Sequence, residues 1–253
     1  MKNNFSNKKP SRRQFLAGAA ALGAGSAAAT SASSNGDPLI TEVQDWAQST
    51  GDGVDATPYG LPIEFEKDVV RRNVEWLTAD TISSINFTPI HALDGTITPQ
   101  GCAFERHHSG AIELRKEDYR LMINGLVDQE LIFTYEDLER FPREQHVYFC
   151  ECAANTGMEW AGAQLNGVQF THGMIHNMEY TGVPLRTLLN EAGLNALGDL
   201  SGKWVFVEGA DASSNGRSIP IEKALDDVLV AFKANGEALR KEHGYPVRLV
   251  VPG

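Results

Sequence analysis

From about residue 85 the sequence alternates short strand signals with short helix signals, and this alternation restricts the fold more than any other feature. YRLMING alternates at period two and predicts a strand ending at Asn124-Gly125. In TYEDLERFP, Thr134 takes the place of a helix N-cap, Asp137 follows three residues on, and Pro142 stops the helix. HVYFCEC is apolar, aromatic and β-branched, and predicts a buried strand. VPLRTLLNEAGL predicts a short helix with Pro184 near its first turn and Gly193 past its end. KWVFVEG predicts another strand, IPIEKAL another helical turn, and Asn235-Gly236 within LVAFKANGEAL a hairpin. The chain closes on YPVRLVVPG, a strand with nothing after it to cover it, which suggests an N-terminal fragment or a terminal edge strand, with the fragment favoured. No period points to internal repeats. These signals describe an α+β class, mixed sheets with short helices.

A chain of 253 residues, 42% hydrophobic and 22% charged, suits one large soluble domain or two small ones. Its net charge is −11, yet Lys2, Lys8, Lys9, Arg12 and Arg13 crowd the first 34 residues, where no acid occurs. The rest is therefore more acidic than the whole, which argues against nucleic acid as a partner while leaving room for a local basic pocket. Residues 1–34 read as an export signal: SRRQFLAGAAALGAGSAAATSA has a basic start, an Ala/Gly-diluted apolar middle and small residues near Ala29 and Ala32. The apolar stretch falls short of the ~20 residues that span a bilayer, so no stable membrane anchor is expected. Arg12-Arg13 before Gln14-Phe15-Leu16 resembles a twin-arginine signal, which predicts folded export to the periplasm, often with a cofactor already installed. Gly23-Ala24-Gly25 lies inside this signal after no strand, so it is no dinucleotide loop. Residues 35–84 are expected to form an irregular lead-in and residues 85–253 the functional domain.

Two of the three cysteines, Cys150 and Cys152, stand one residue apart. A bridge between them is disfavoured, because i and i+2 on one strand face approach the largest Cα separation a disulfide tolerates. Cys102 pairing with either remains open in an export compartment. Zinc sites favour a wider cysteine spacing, and His107 and His108 would point to opposite faces if extended. Small buried thiols are the ordinary reading of such a pair on a strand.

The text around the pair carries more. TPIHALDGTITPQG, FERHHSG, ECAANTGMEWAGAQLNGVQFTHGM, EGADASSNGRSIP and KALDDVLVAFKANGEALRKEHGYPVRLVVPG occur in this order from about Thr88 to Gly253. Together they resemble the sulfite oxidase family of molybdenum enzymes, with the molybdenum subunits of sulfane (sulfite) dehydrogenases as the nearest branch. The resemblance implies a sulfite-oxidase-like molybdopterin-binding domain with molybdenum-molybdopterin as cofactor. Cys152 matches the family's metal-ligating cysteine, a soft thiolate suited to such a metal. Cys150 stands where the family has an apolar residue and is expected to pack. Ala154 replaces a family glycine, which would strain the loop if its φ were positive.

Other roles carry over one by one. Phe104, Arg106 and His108 match the stretch that contacts the pterin and borders the substrate pocket, with Arg106 and Cys152 taking the catalytic roles. The planar fork of Arg106 suits an oxyanion, although taken alone it reads as a surface ion pair with Glu105 or Glu113. His107 replaces an asparagine and receives no role. Asp211, Ser218, His243 and Arg248 match further pterin or phosphate contacts, and Asn155 is expected to orient the ligand loop by hydrogen bonds.

The resemblance implies two-electron oxidation of sulfite or sulfane sulfur in thiosulfate oxidation. The chain has no Cys-x-x-Cys-His haem motif, so a c-type cytochrome subunit is the implied electron acceptor. The family also carries an immunoglobulin-like dimerisation domain beyond the last strand, so a homodimer is expected only of a full-length form. A periplasmic sulfoxide reductase of the same fold and a cofactor-free anion-binding module are the alternatives.

Overall fold

The computed structural model describes residues 62–73, 82–194, 198–209, 211 and 213–253. The export signal of residues 1–34, with Gly23-Ala24-Gly25, and the lead-in up to residue 61 lie outside the described residues. Among those residues no helix is long and apolar enough to cross a membrane.

The α+β class with short helices is what the chain shows. A five-stranded antiparallel sheet runs in the order β10 (Glu237–Ala238), β9 (Leu229–Ala234), β6 (Ile175–Pro184), β5 (Glu144–Glu151), with β11 (Arg248–Val250) also on β9. Three antiparallel pairs flank it: β1 (Arg72–Asn73) with β2 (Asn86–Phe87), β3 (Arg120–Ile123) with β4 (Leu131–Thr134), and β7 (Trp204–Glu208) with β8 (Gly216–Pro220). The helices are α1 (Tyr135–Arg140), α2 (Val168–His172), α3 (Leu185–Glu191) and α4 (Ile221–Asp226).

Local chemistry explains most of these boundaries. Thr134 caps α1 in a reciprocal capping box: its hydroxyl accepts from the Asp137 N–H at 3.1 Å, and the Asp137 carboxylate accepts the Thr134 N–H at 2.9 Å. Asn235 and Gly236 take φ of 51° and 78°, the left-handed pair that a two-residue hairpin turn requires between β9 and β10. Leu185, Leu188 and Leu189 recur at helical spacing in α3 and are all buried, each contributing about 2 kcal/mol.

Strand β9 organises the interior. From Leu229 to Phe232 its residues alternate between two cores: Val230 and Phe232 join Leu138, Leu188 and Ile219 on one face, while Leu229 and Ala231 join Met178, Tyr180 and Leu239 on the other. A third cluster of Ile85, Phe87, Phe104, Phe170 and Met174 lies beside the end of β5, with Cys150 and Cys152 packed against it. Strands β6 and β9 approach very closely at Gly182, where the register slips. A Cβ there would collide with the Val230 carbonyl and stand 2.6 Å from Ala231 Cα.

HVYFCEC does form a strand, but it is buried on one face only. Strand β5 is the last strand of its sheet. Glu144, His146, Tyr148 and Cys150 turn inward, whereas Val147 and Phe149 are 50% and 60% exposed. Apolar runs at sheet edges carry the same composition as central ones, so the run did not reveal this. Strand β6, the longest in the sheet, has no clear sequence signal because His176 and Gly182 interrupt its inward set. Within the expected lead-in, Glu64–Glu66 forms a 3-10 turn and β1 pairs with β2.

Candidate active site

The inner face of β5 and β6 ends in a cavity of about 730 Å³, bounded by residues 104–108, the connection between β7 and β8, and residues 241–249. The 104–108 wall is stitched to the chain before it. The Phe104 N–H donates to the Thr88 hydroxyl at 2.9 Å, the Glu105 N–H to Asn86 Oδ1 at 2.9 Å, and the His107 N–H to the Ser84 carbonyl at 3.0 Å. These bonds turn the Arg106 and His108 side chains of a short extended segment into fixed parts of the rim.

The rim carries both signs of charge, but two of its guanidinium groups have no carboxylate beside them among the described residues. Arg106 makes no ion pair among the described residues; it donates instead to the carbonyls of Ser83, at 3.3 Å, and His107. The carboxylates expected beside it are engaged elsewhere, Glu105 with His107 at 2.8 Å and Arg71 at 3.7 Å, and Glu113 with Lys241 at 3.4 Å. Arg248 donates to the His243 carbonyl at 3.2 Å and lies 5.8 Å from the Tyr180 ring centre, again with no carboxylate partner among the described residues. Such guanidinium groups are the natural partners of an oxyanion. Burial opposes ionisation of Glu105, but hydrogen bonds from His107 and Asn86 and the Arg71 charge hold its carboxyl below the ordinary range.

The floor is histidine-rich. His243 is 3% exposed, and its Nε2 donates to the carbonyls of Phe104 at 3.2 Å and Ala103 at 3.3 Å. Burial and the Arg248 charge push its pKa down to about 4, so the ring is neutral and Nδ1 is left as an acceptor. His176 stands edge-on to it, with ring planes inclined at 71° and centres 5.8 Å apart, and burial followed by the Arg248 charge depresses its pKa further.

Of the residues singled out in the sequence, Phe104, Arg106, His108, Asp211, His243 and Arg248 all line this one cavity. Asp211 holds its loop by accepting from the Ser213 hydroxyl at 2.7 Å. Ser218 does not line it; it is an exposed residue of β8 opposite Phe206. Cys152 is also off the wall. It lies just past β5, half-buried, its N–H bonded to the Met174 carbonyl at 3.0 Å, and it packs on the cluster that includes Phe104, itself a wall residue. The wall cysteine is Cys150. Period-two alternation from Glu144 places it on the inner face, a signal present in the sequence but overlooked beside the family motif. His107, expected to do nothing, is a wall residue paired to Glu105, and His176 is a wall residue that no motif marked.

The loop after Cys152 is held as expected of Asn155: its Oδ1 accepts from the Met174 N–H at 3.1 Å and its amide donates to Glu151 at 2.9 Å. Ala154 does not occupy a left-handed conformation; Thr156 does, at φ 64°, so the missing glycine strains nothing. All three cysteines are free thiols. Among the described residues no cluster of three or more His, Cys, Asp or Glu side chains could hold a metal unaided. The unpaired buried Nδ1 atoms of His176 and His243 and the uncompensated guanidinium groups fit a large group with polar ring edges and an anionic tail, as molybdopterin is.

Residues 108–253 match the oxidoreductase molybdopterin binding domain, and the chain belongs to this family, within the sulfite oxidase branch of molybdopterin oxidoreductases. A cofactor-free binding module is thereby set aside. The solved structure of the sulfane dehydrogenase SoxCD from Paracoccus pantotrophus is similar at 71% sequence identity and a TM-score of 0.78, covering 87% of this chain and 56% of that one. Mitochondrial sulfite oxidase of Mus musculus is 34% identical over 63% of this chain and 31% of its own length. Inducible nitrate reductase [NADH] 2 of Glycine max is 35% identical over 63% of this chain and 19% of its own. The chain thus spans about a third or less of these two curated relatives.

Proposed function

We propose that this chain is the molybdenum-binding part of a periplasmic dehydrogenase that oxidises sulfite or sulfane sulfur and passes the electrons to a c-type cytochrome. The observation that carries this reading is a cavity whose guanidinium groups, on Arg106 and Arg248, have no carboxylate partner among the described residues, adjoining the end of β5, where Cys150 faces the cavity and Cys152 follows the strand. Its likeness to a sulfane dehydrogenase supports the substrate class, and the twin-arginine-like start supports the compartment. The molybdenum cofactor supplies two-electron acceptance at sulfur when bound.

The chain's own residues supply the rest. The Arg106 fork binds and orients a sulfur oxyanion, and Arg248 neutralises the phosphate of the cofactor. The Cys152 thiolate serves as the soft protein ligand. Phe104 lines the cavity and belongs to the apolar cluster on which Cys152 packs, so it limits water beside the reacting sulfur. Neutral His243 holds its Nε2 proton on backbone carbonyls, leaving Nδ1 to accept from the cofactor.

The test is stopped-flow reduction of a c-type cytochrome by the cofactor-loaded protein with sulfite, or with a persulfide carried on a peptide. Reduction by one of these donors, absent from molybdenum-free protein, is expected. A loaded protein that leaves both untouched and instead reduces a sulfoxide overturns the reading.

A further inference from the structure

One polar atom on the cavity floor goes unused by the fold. His176 is 3% exposed, pairs in register with Cys150 across β5 and β6, and lines the cavity. Its Nε2 lies 3.0 Å from the Tyr180 hydroxyl, and its Nδ1 has no hydrogen-bond partner. Burying an imidazole nitrogen unpaired is destabilising, and such an atom persists where something outside the fold completes it. Burial and the Arg248 charge keep the ring neutral, which suits a polar uncharged edge better than a phosphate.

His243 beside it shows the same feature. Its Nδ1 is also unpaired, and with Nε2 donating to backbone carbonyls it is an acceptor. His176 is more versatile, because the Tyr180 hydroxyl can either donate to Nε2 or accept from it, leaving Nδ1 as donor or acceptor. Two such atoms on rings 5.8 Å apart match the edge of a fused pyrimidine, where amide and amine donors alternate with ring acceptors.

We propose that His176 is a cofactor-holding residue whose Nδ1 hydrogen-bonds the polar edge of the pterin beside His243. The proposal rests on the family's cofactor being held in this cavity. It adds a contact on β6 to the motif residues, which come from loops, a 3-10 turn or other strands.

The experiment compares cofactor-loaded full chains: wild type, Tyr180→Phe, and the double variant His176→Leu/Tyr180→Phe. The double variant removes both partners of the buried hydrogen bond together, which leaves nothing newly unpaired. Pterin release after dilution is followed by the fluorescence of the oxidised product, and Tm is recorded on cofactor-free protein. The double variant is expected to lose pterin about tenfold faster while its cofactor-free Tm stays within about 2 °C of wild type. Tyr180→Phe alone is expected to hold pterin as wild type does. Equal release from wild type and double variant overturns the proposal, as does equally fast release from Tyr180→Phe alone. If the double variant does not fold, His176→Gln, which keeps a polar atom for the pterin, is compared with His176→Leu, and equal release from these two overturns it. A wild-type chain that takes up no pterin at all defeats the cofactor reading itself, and the proposal with it.

Discussion

Arg71 Nη2 stands 3.1 Å from a Glu242 carboxylate oxygen, joining the segment before β1 to the turn that carries His243. The same guanidinium reaches Glu105 at 3.7 Å, and Glu105 and Glu242 both line the cavity. Arg71 therefore ties two walls of the site together from outside it. All three side chains are 14–20% exposed, so removing the cation takes the ion-pair partner from a largely buried Glu242 and leaves Glu105 with only His107 and Asn86. Arg71→Ala is expected to cost about 3 kcal/mol in urea unfolding, with Arg71→Lys recovering part of that. A loss below about 0.5 kcal/mol would show that the bridge contributes nothing.

The two cysteines can be separated by substitution. Cys152→Ser is expected to abolish sulfur oxidation and alter the metal's spectrum, since a hydroxyl is a harder and weaker donor than a thiolate. Cys150→Ala is expected to keep turnover and to cost about 1 kcal/mol of packing. Because Cys150 is the one on the cavity wall, the reverse pattern would move the ligand assignment to it.

Arg106 is expected to act on substrate binding. Arg106→Gln removes a charge-assisted contact of about 2 kcal/mol, so KM for the anionic sulfur substrate should rise about thirtyfold. The measurement is steady-state kinetics on variants of matched molybdenum content. An unchanged KM would return Arg106 to a rim role.

The buried histidines set a pH dependence of stability. His243 titrates near 4 in the folded protein and His176 lower still, while in the unfolded chain both protonate near the ordinary 6.5. Below pH 6.5 the unfolded chain binds protons that the folded one excludes. Stability is therefore full above that pH and falls as pH drops toward 4, by about 1.4 kcal/mol per unit for each histidine. Denaturant midpoints between pH 7.5 and 5 should show this slope, and His176→Leu/Tyr180→Phe should halve it. A flat profile would mean that the rings are not shielded.

Gly182 carries the close approach of β6 to β9. Gly182→Ala places a methyl group against the Val230 carbonyl and should cost about 3 kcal/mol through backbone displacement, read as a lowered Tm. A wild-type Tm would mean that the strands can part there without penalty.

The sequence by itself determined what neighbours along the chain decide. The Thr134 cap acts over three residues, the Asn235-Gly236 turn over two, and the α3 leucines over one helical turn, so each needs no distant partner to be legible. The family motif likewise named six residues that the fold brings into one cavity. Ser218 and Cys152 matched the motif equally well and lie off that wall, because a motif preserves order along the chain and not the direction a side chain takes. Only the tertiary structure decided that β5 is an edge strand and that His176 lies buried beside His243. It also decided that Arg71 meets Glu242 across 171 residues. Burial and ion pairing are properties of chain segments brought together from far apart, and no local pattern encodes which segments will meet.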